Sequence, residues 1–215
     1  MIDAVVFDLD GLLLDTEQLW DEVREELTRE RGGRWPATAQ RDMMGMSSPE
    51  WSRYMHETVG LSESPEEISA EVVRRMQVRY RESLPLIDGA VEAVQRLAAR
   101  WPLGLASSSN RELIDLALAV SDLDRYFAAT VSSEEVAAGK PAPDVYLEAA
   151  RRLAVDPTRC AAIEDSHNGI RSAKAAGMRV VAIPNPHFPP DPEALALADV
   201  VLGSLAELTP AAIGS

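Results

Sequence analysis

Cysteine occurs once in the 215 residues, at Cys160, so no internal disulfide can form and a reducing, cytoplasmic setting is expected. The three histidines, His56, His167 and His187, have no metal-ligand spacing. Basic residues are scarce: 21 Lys and Arg face 35 Asp and Glu, a formal charge of −14. Without a basic footprint to neutralise phosphates, nucleic acid is excluded as a partner. A small phosphorylated ligand is still allowed if a cation is recruited locally. No uncharged apolar run approaches the roughly 18 to 20 residues that span a bilayer, and no signal segment precedes the first strand, so no membrane partner is expected. Repeats are absent, and the one biased stretch is a proline-rich turn, "PNPHFPPDP".

What is present reads as a globular chain with a sizeable core, at 46% hydrophobic and 26% charged residues. Short apolar runs at Ala4–Asp8, Leu103–Ser107, Ala129–Ser132, Ala161–Glu164, Arg179–Ile183 and Val200–Leu202 predict strands. Helical patterns lie between them at Ala90–Ala99, Glu112–Val120, Val145–Leu153 and Ile170–Ala176, and Gly177 stands where a C-terminal cap belongs. This alternation predicts an α/β fold, a doubly wound parallel sheet with helices on both faces. The interval after the first strand breaks the rhythm. Leu19, Val23 and Leu27 recur at helical spacing behind an Asp15/Gln18 cap; Trp51, Met55 and Val59 follow Ser48-Pro49; Ile68, Val72 and Met76 follow Ser64-Pro65. Residues 16–84 are therefore expected to form an inserted all-helical subdomain, with 1–15 and 85–215 forming the α/β core.

Ligands of open parallel sheets bind outside the carboxyl ends of the strands. Strand one, in "VVFDLDGLLLDTE", ends at Asp8 and Asp10; strand two ends in Ser107, Ser108, Ser109 and Asn110. "GKPAPD" with Lys140 follows strand three, and strand four ends in Glu164, Asp165 and Ser166. Carboxylates at the mouth of a core are costly unless compensated. Asp8, Glu164 and Asp165 offer hard oxygen ligands that suit Mg²⁺, and the Lys140 ammonium offsets the remaining repulsion. Ser107, with backbone N–H groups at a helix start, offers an anion site. A carboxylate can attack phosphorus to form an aspartyl phosphate, and a second carboxylate two residues on can protonate the leaving oxygen and later activate water.

"DLDGLLLDT", "LASSSN", "GKPAPDVYLEA" and "IEDSHNGIRSAKAAG" together resemble the four motifs of the haloacid dehalogenase-like superfamily, in its phosphatase and β-phosphoglucomutase-like branch. The resemblance spans nearly the whole chain. It implies a Rossmann-like core and a helical cap over residues 16–84 that closes on the substrate. It implies Asp8 as nucleophile and metal ligand, with Asp10 as general acid/base that also ligates metal through its backbone carbonyl. It further implies Ser107, Ser108 and Lys140 as the phosphate-binding group, and Asp165 with Glu164, directly or through water, as the rest of the Mg²⁺ site. Trp20, Gly45, Met46, Ser47, Asn110 and Arg111 are the candidates for contacting substrate.

Several residues carry a structural alternative. Ser109 is the better cap for the helix after strand two, and Asp165 serves in part as a cap for the helix near His167. Met43, Met44 and Met46 read equally as core filling or as an adaptable pocket wall. Trp20 reads first as packing, and Cys160 as a small buried residue. The reaction expected is hydrolysis of a phosphomonoester on a small metabolite: a sugar, polyol or nucleoside monophosphate, pseudouridine 5′-phosphate included. A mutase of the β-phosphoglucomutase type needs cap cations where this chain has Trp20 and Ser48, although Arg111 could substitute for one in the strand-two loop. Dehalogenation suits Lys140 and a full carboxylate set poorly, and a non-catalytic binding module would not need both Asp8 and Asp10.

Overall fold

The computed structural model describes residues 1–43 and 46–214. Six strands, β1 (Ala4–Phe7), β2 (Leu103–Ser107), β3 (Phe127–Ser132), β4 (Cys160–Glu164), β5 (Arg179–Ala182) and β6 (Val200–Val201), form one sheet in the order β3-β2-β1-β4-β5-β6. Every pairing is parallel. The expected doubly wound α/β fold is thus the observed one, and each predicted strand is present within a residue or two of its predicted ends.

Alternation along the strands builds two cores. Val5, Phe7, Leu103 and Leu105 point to one face, with Val94 and Leu97 of α5 (Ala90–Ala98) and Leu113, Ile114 and Ala117 of α6 (Arg111–Val120). Ala4, Val6, Ala106 and Val131 point to the other, with Val145, Tyr146 and Ala149 of α7 (Asp144–Leu153) and Ile170 and Ala173 of α8 (His167–Ala175). A strand covered on both faces has no polar side to show, hence its continuous apolar sequence. Gly177 follows α8 with φ +79°, the left-handed turn that glycine adopts without strain.

Between β1 and α5 the named elements among the described residues are helices: α1 (Glu17–Glu30), α2 (Ala39–Met43), α3 (Ser48–Glu57) and α4 (Pro65–Glu82). The short α2 has too little apolar periodicity to be read from sequence. In α3 and α4 the starts are capping boxes. The Glu50 carboxylate accepts from Ser47 N at 2.8 Å, and the Glu67 carboxylate from Ser64 N at 2.9 Å. The Asp15/Gln18 cap expected for α1 is not formed. The helix starts one residue later, with Thr16 at its N-cap, and the Thr16 hydroxyl is directed instead to Asp10. The two connections to this helical interval pair with each other: Asp15 N donates to Pro85 O at 2.8 Å and Ile87 N to Leu13 O at 2.9 Å.

Candidate active site

The chain order reverses between β1 and β4, so the loops after these strands leave a crevice at their carboxyl ends. Register decides what stands there. Phe7 pairs with Ile163, and Asp8 N donates to Ile163 O at 3.0 Å, which sets Asp8 beside Glu164. Both polar residues follow the last apolar position of a buried strand.

Lys140 joins the two strand ends. Its ammonium donates to Asp8 Oδ1 and to Glu164 Oε1, each at 2.6 Å, with Lys140 and Glu164 buried and Asp8 only 6% exposed. Burial pulls the Lys140 ammonium downward, but the Asp8 and Glu164 charges outweigh it and hold the group above its ordinary range. Burial pushes the Asp8 carboxyl up to about 8; Lys140 draws it back, and the Glu164 and Asp10 charges raise it further.

Glu164 is saturated with donors. Oε1 accepts from Lys140 and from the Tyr146 hydroxyl at 2.8 Å. Oε2 accepts from Asp165 N at 3.0 Å, Ser166 N at 3.2 Å and Ser166 Oγ at 3.1 Å. Asp165 is the opposite case. It is 4% exposed, and its Oδ1 is buried with no hydrogen-bond partner among the described residues. Burial, then the charges of Glu164 and Asp8, push its carboxyl far above the usual range. Ligand oxygens of Asp8, Glu164 and Asp165 lie within 4.8 Å of one another. Three carboxylates against one ammonium leave an excess of negative charge in a dry place, and the orphaned Asp165 oxygen marks where a hard cation fits. The expected cap role of Asp165 is not seen; Ser166 caps α8, its hydroxyl accepting from Gly169 N at 3.2 Å.

Asp10 is held from two sides. Thr16 Oγ1 donates to its Oδ1 at 2.6 Å, and Ser109 Oγ to its Oδ2 at 2.6 Å. Ser107, wholly buried, donates to Asp10 Oδ2 at 3.3 Å and accepts from Ser109 N at 3.0 Å. Ser109 is therefore not the cap of α6. That helix start is covered by Glu134, which accepts from Arg111 N at 2.9 Å and Asn110 Nδ2 at 2.6 Å.

A cavity of about 70 Å³ lies over these groups, lined by Asp8, Asp10, Lys140, Ser108 and Asn110 from the sheet side and by Glu17, Trp20, Arg24, Met43, Met46 and Trp51 from the helical interval. The volume suits a few waters and is far below the roughly 300–1,000 Å³ of small-molecule sites. Trp20 both packs and lines: it meets Trp51 at 6.0 Å between ring centroids, and it borders the cavity. Met43 and Met46 likewise line it. Gly45 and Met44 lie outside the described residues. Ser47 is turned to Glu50, and its Cβ lies 3.3 Å from where a Cβ on Gly139 would sit. Arg111 does not face the cavity. Its guanidinium reaches Asp115 at 2.8 Å, Glu135 at 3.3 Å and the Thr130 carbonyl at 3.3 Å, because residue one of α6 points along β3. Cys160 is buried, and burial pushes its thiol up to about 11, which suits an inert core residue.

Sequence reasoning missed Thr16, Ser109 and Tyr146 as supports, and Glu17 and Arg24 as lining residues. A signal existed for the last two: Glu17, Trp20 and Arg24 stand at i, i+3 and i+7, one stripe of α1.

A doubly wound sheet with a lysine-bridged carboxylate cluster at its switch point defines an α/β enzyme with an acidic, cation-ready site. Residues 2–177 match the haloacid dehalogenase-like hydrolase family, and the chain belongs to it. It is 37% identical to hexitol phosphatase B of Escherichia coli K12, covering 96% of this chain and 94% of that protein. It is 35% identical to the probable pseudouridine-5′-phosphatase of Drosophila melanogaster, covering 97% and 92%. Among solved structures it is similar to CbbY from Rhodobacter sphaeroides in complex with phosphate, with TM-score 0.88, 28% identity and 99% of each chain covered. No helix among the described residues is long and apolar enough to cross a membrane.

Proposed function

We propose that this phosphoric monoester hydrolase acts on a small phosphorylated sugar, polyol or nucleoside through an aspartyl phosphate on Asp8, with Mg²⁺ as its cofactor. The observation that carries the reading is the Asp8–Lys140–Glu164 bridge with Asp10 two residues on, tethered by Thr16 and Ser109. Bound between Asp8 and Asp165, with the Asp10 backbone carbonyl, Mg²⁺ would neutralise the excess carboxylate charge and polarise a phosphoryl oxygen. Glu164, with both oxygens engaged, orients Lys140 rather than ligating directly.

An Asp8 carboxylate oxygen attacks phosphorus, and the bond from phosphorus to the ester oxygen breaks. Asp10 gives its proton to that leaving oxygen. Water then attacks the same phosphorus and passes its proton to Asp10, and the Asp8–phosphorus bond breaks to release phosphate. Lys140 and the Ser107–Ser108 turn hold the phosphoryl oxygens. Residues 16–84 act as the cap, whose closure keeps bulk water away from the acyl phosphate until the alcohol has left. One observation supports water, not a second phosphate-bearing sugar, as acceptor: Arg111, the cation offered by the strand-two loop, is paired with Asp115 and Glu135 and does not line the cavity.

The test is phosphate release from a panel of sugar, polyol and nucleoside monophosphates, with Mg²⁺ or with EDTA. Release confined to Mg²⁺ and lost in Asp8→Asn, with the fold intact by circular dichroism, is the expected result. Full activity in Asp8→Asn or in EDTA would sink the reading, and isomer exchange primed by a bisphosphate would replace it with a mutase.

A further inference from the structure

Arg24 is a buried arginine that nothing in the hydrolytic machinery uses. It is 9% exposed, and its guanidinium carbon lies 4.7 Å from the ring centroids of both Trp20 and Trp51. Aromatic faces attract the cation but accept none of its five N–H bonds in the plane of the fork. Its Nε is buried with no acceptor, and the side chain makes no hydrogen bond or ion pair with the described residues. A guanidinium withdrawn from water is ordinarily paired, since leaving it unpaired is strongly destabilising. This one instead lines the cavity above Asp8, Asp10 and Lys140.

Glu17 lines the same cavity from the same stripe of α1. A donor fork and an acceptor carboxylate thus face the reacting groups from the opposite wall. A hydroxyl satisfies both, accepting from Arg24 and donating to Glu17. An apolar alcohol would leave Arg24 without an acceptor. A second phosphate would accept from Arg24 but has no hydrogen to donate to Glu17, and the carboxylate cluster of Asp8, Glu164 and Asp165 lies below it.

We propose that Arg24, with Glu17, forms the subsite that reads the alcohol half of the substrate, and that this alcohol is a hydroxyl-bearing sugar or polyol, not an apolar alcohol or a second phosphate ester. The proposal rests on the phosphatase reading above and adds to it the residues that select the ester.

The test compares wild type, Arg24→Met and Arg24→Lys on a hexitol 6-phosphate, a hexose bisphosphate and p-nitrophenyl phosphate, whose leaving group carries no hydroxyl. Methionine keeps an unbranched stem between the two tryptophans. Wild type should favour the hexitol ester. Arg24→Met should lower kcat/KM on that ester about 10- to 100-fold more than on p-nitrophenyl phosphate, the range for a lost hydrogen bond to a charged group. The effect should lie mainly in KM, and Arg24→Lys should recover part of it. Equal losses on both esters would mark Arg24 as structural and overturn the proposal. So would no loss on either, or a wild-type preference for the bisphosphate. If Arg24→Met fails to fold, Arg24→Gln carries the same comparison. Inactivity of the wild type on all three esters would overturn the phosphatase reading itself, an outcome distinct from lost discrimination.

Discussion

Single side chains at this site work by imbalance of charge in a dry place. Lys140 is the lone ammonium among Asp8, Glu164 and Asp165, and its two 2.6 Å contacts are buried. Lys140→Met should lower kcat/KM by about 10²–10³-fold, as for loss of one preorganised donor. It should also destabilise the metal-free chain by about 3–5 kcal/mol, since two buried carboxylates lose their partner. Kinetics and urea midpoints in EDTA check both, and unchanged values would contradict the bridge. Glu17 predicts a pH effect. Burial, with the charges of Asp10, Asp15 and Asp21, lifts its carboxyl from 4.5 to about 7 against the pull of Arg24. A carboxyl raised in the folded state binds its proton more tightly there than in the unfolded chain. Its contribution is therefore full below about pH 4.5 and is lost as pH rises through 7. Melting temperatures of Glu17→Gln and wild type, measured from pH 5 to 8, should diverge in favour of the variant as pH rises. Parallel curves would refute the shift.

At the scale of elements, helix starts and strand ends meet around the same few atoms. In α8, Gly169 sits against the Glu164 carboxylate, and a Cβ there would overlap the carboxylate atoms. Alanine for glycine inside a helix ordinarily adds about 1 kcal/mol of stability. Here Gly169→Ala should instead lower the melting temperature and cut kcat, because Glu164 must move and it holds Lys140 and Tyr146 in place. A more stable, fully active variant would count against that linkage. Gly11 is similar in kind: φ is +84°, and a Cβ would overlap Asp165. The glycine beside the two aspartates lets the loop after β1 pass close to the loop after β4.

For the molecule as a whole, the cavity of about 70 Å³ over the reacting groups is small beside the ester of a sugar or polyol, and the proposed cap is expected to open for each turnover. The helical interval meets the sheet side through α4 and α6, where Gln77 Nε2 donates to Glu112 at 2.8 Å. Cysteines at Gln77 and Glu112 joined by a short bismaleimide should abolish release of phosphate from the best ester of the panel, while the unlinked double variant keeps it. Cys160 is buried and should not compete for the reagent. Full activity in the linked protein would mean that substrate enters without movement of this interface.

Much of this was legible in the chain. Continuous apolar runs could only be strands covered on both faces, and the polar residues that end them had to gather at one edge of a parallel sheet. That reasoning reached Asp8, Asp10, Lys140, Glu164 and Asp165 from four separated segments. The caps of α3 and α4 were equally local, set by Ser47 with Glu50 and Ser64 with Glu67. What sequence could not settle were contacts between segments far apart in the chain. Ser109 reads as a cap but reaches Asp10, 99 positions away; Arg111 reads as a ligand but pairs along β3; Arg24, which drew no reading, lies against two tryptophans. Spacing and chemistry along the chain determined which residues form the strand ends and their acidic cluster. Only tertiary packing decided which donors hold each carboxylate and which arginine faces the cavity, because side-chain direction depends on neighbours that local sequence does not contain.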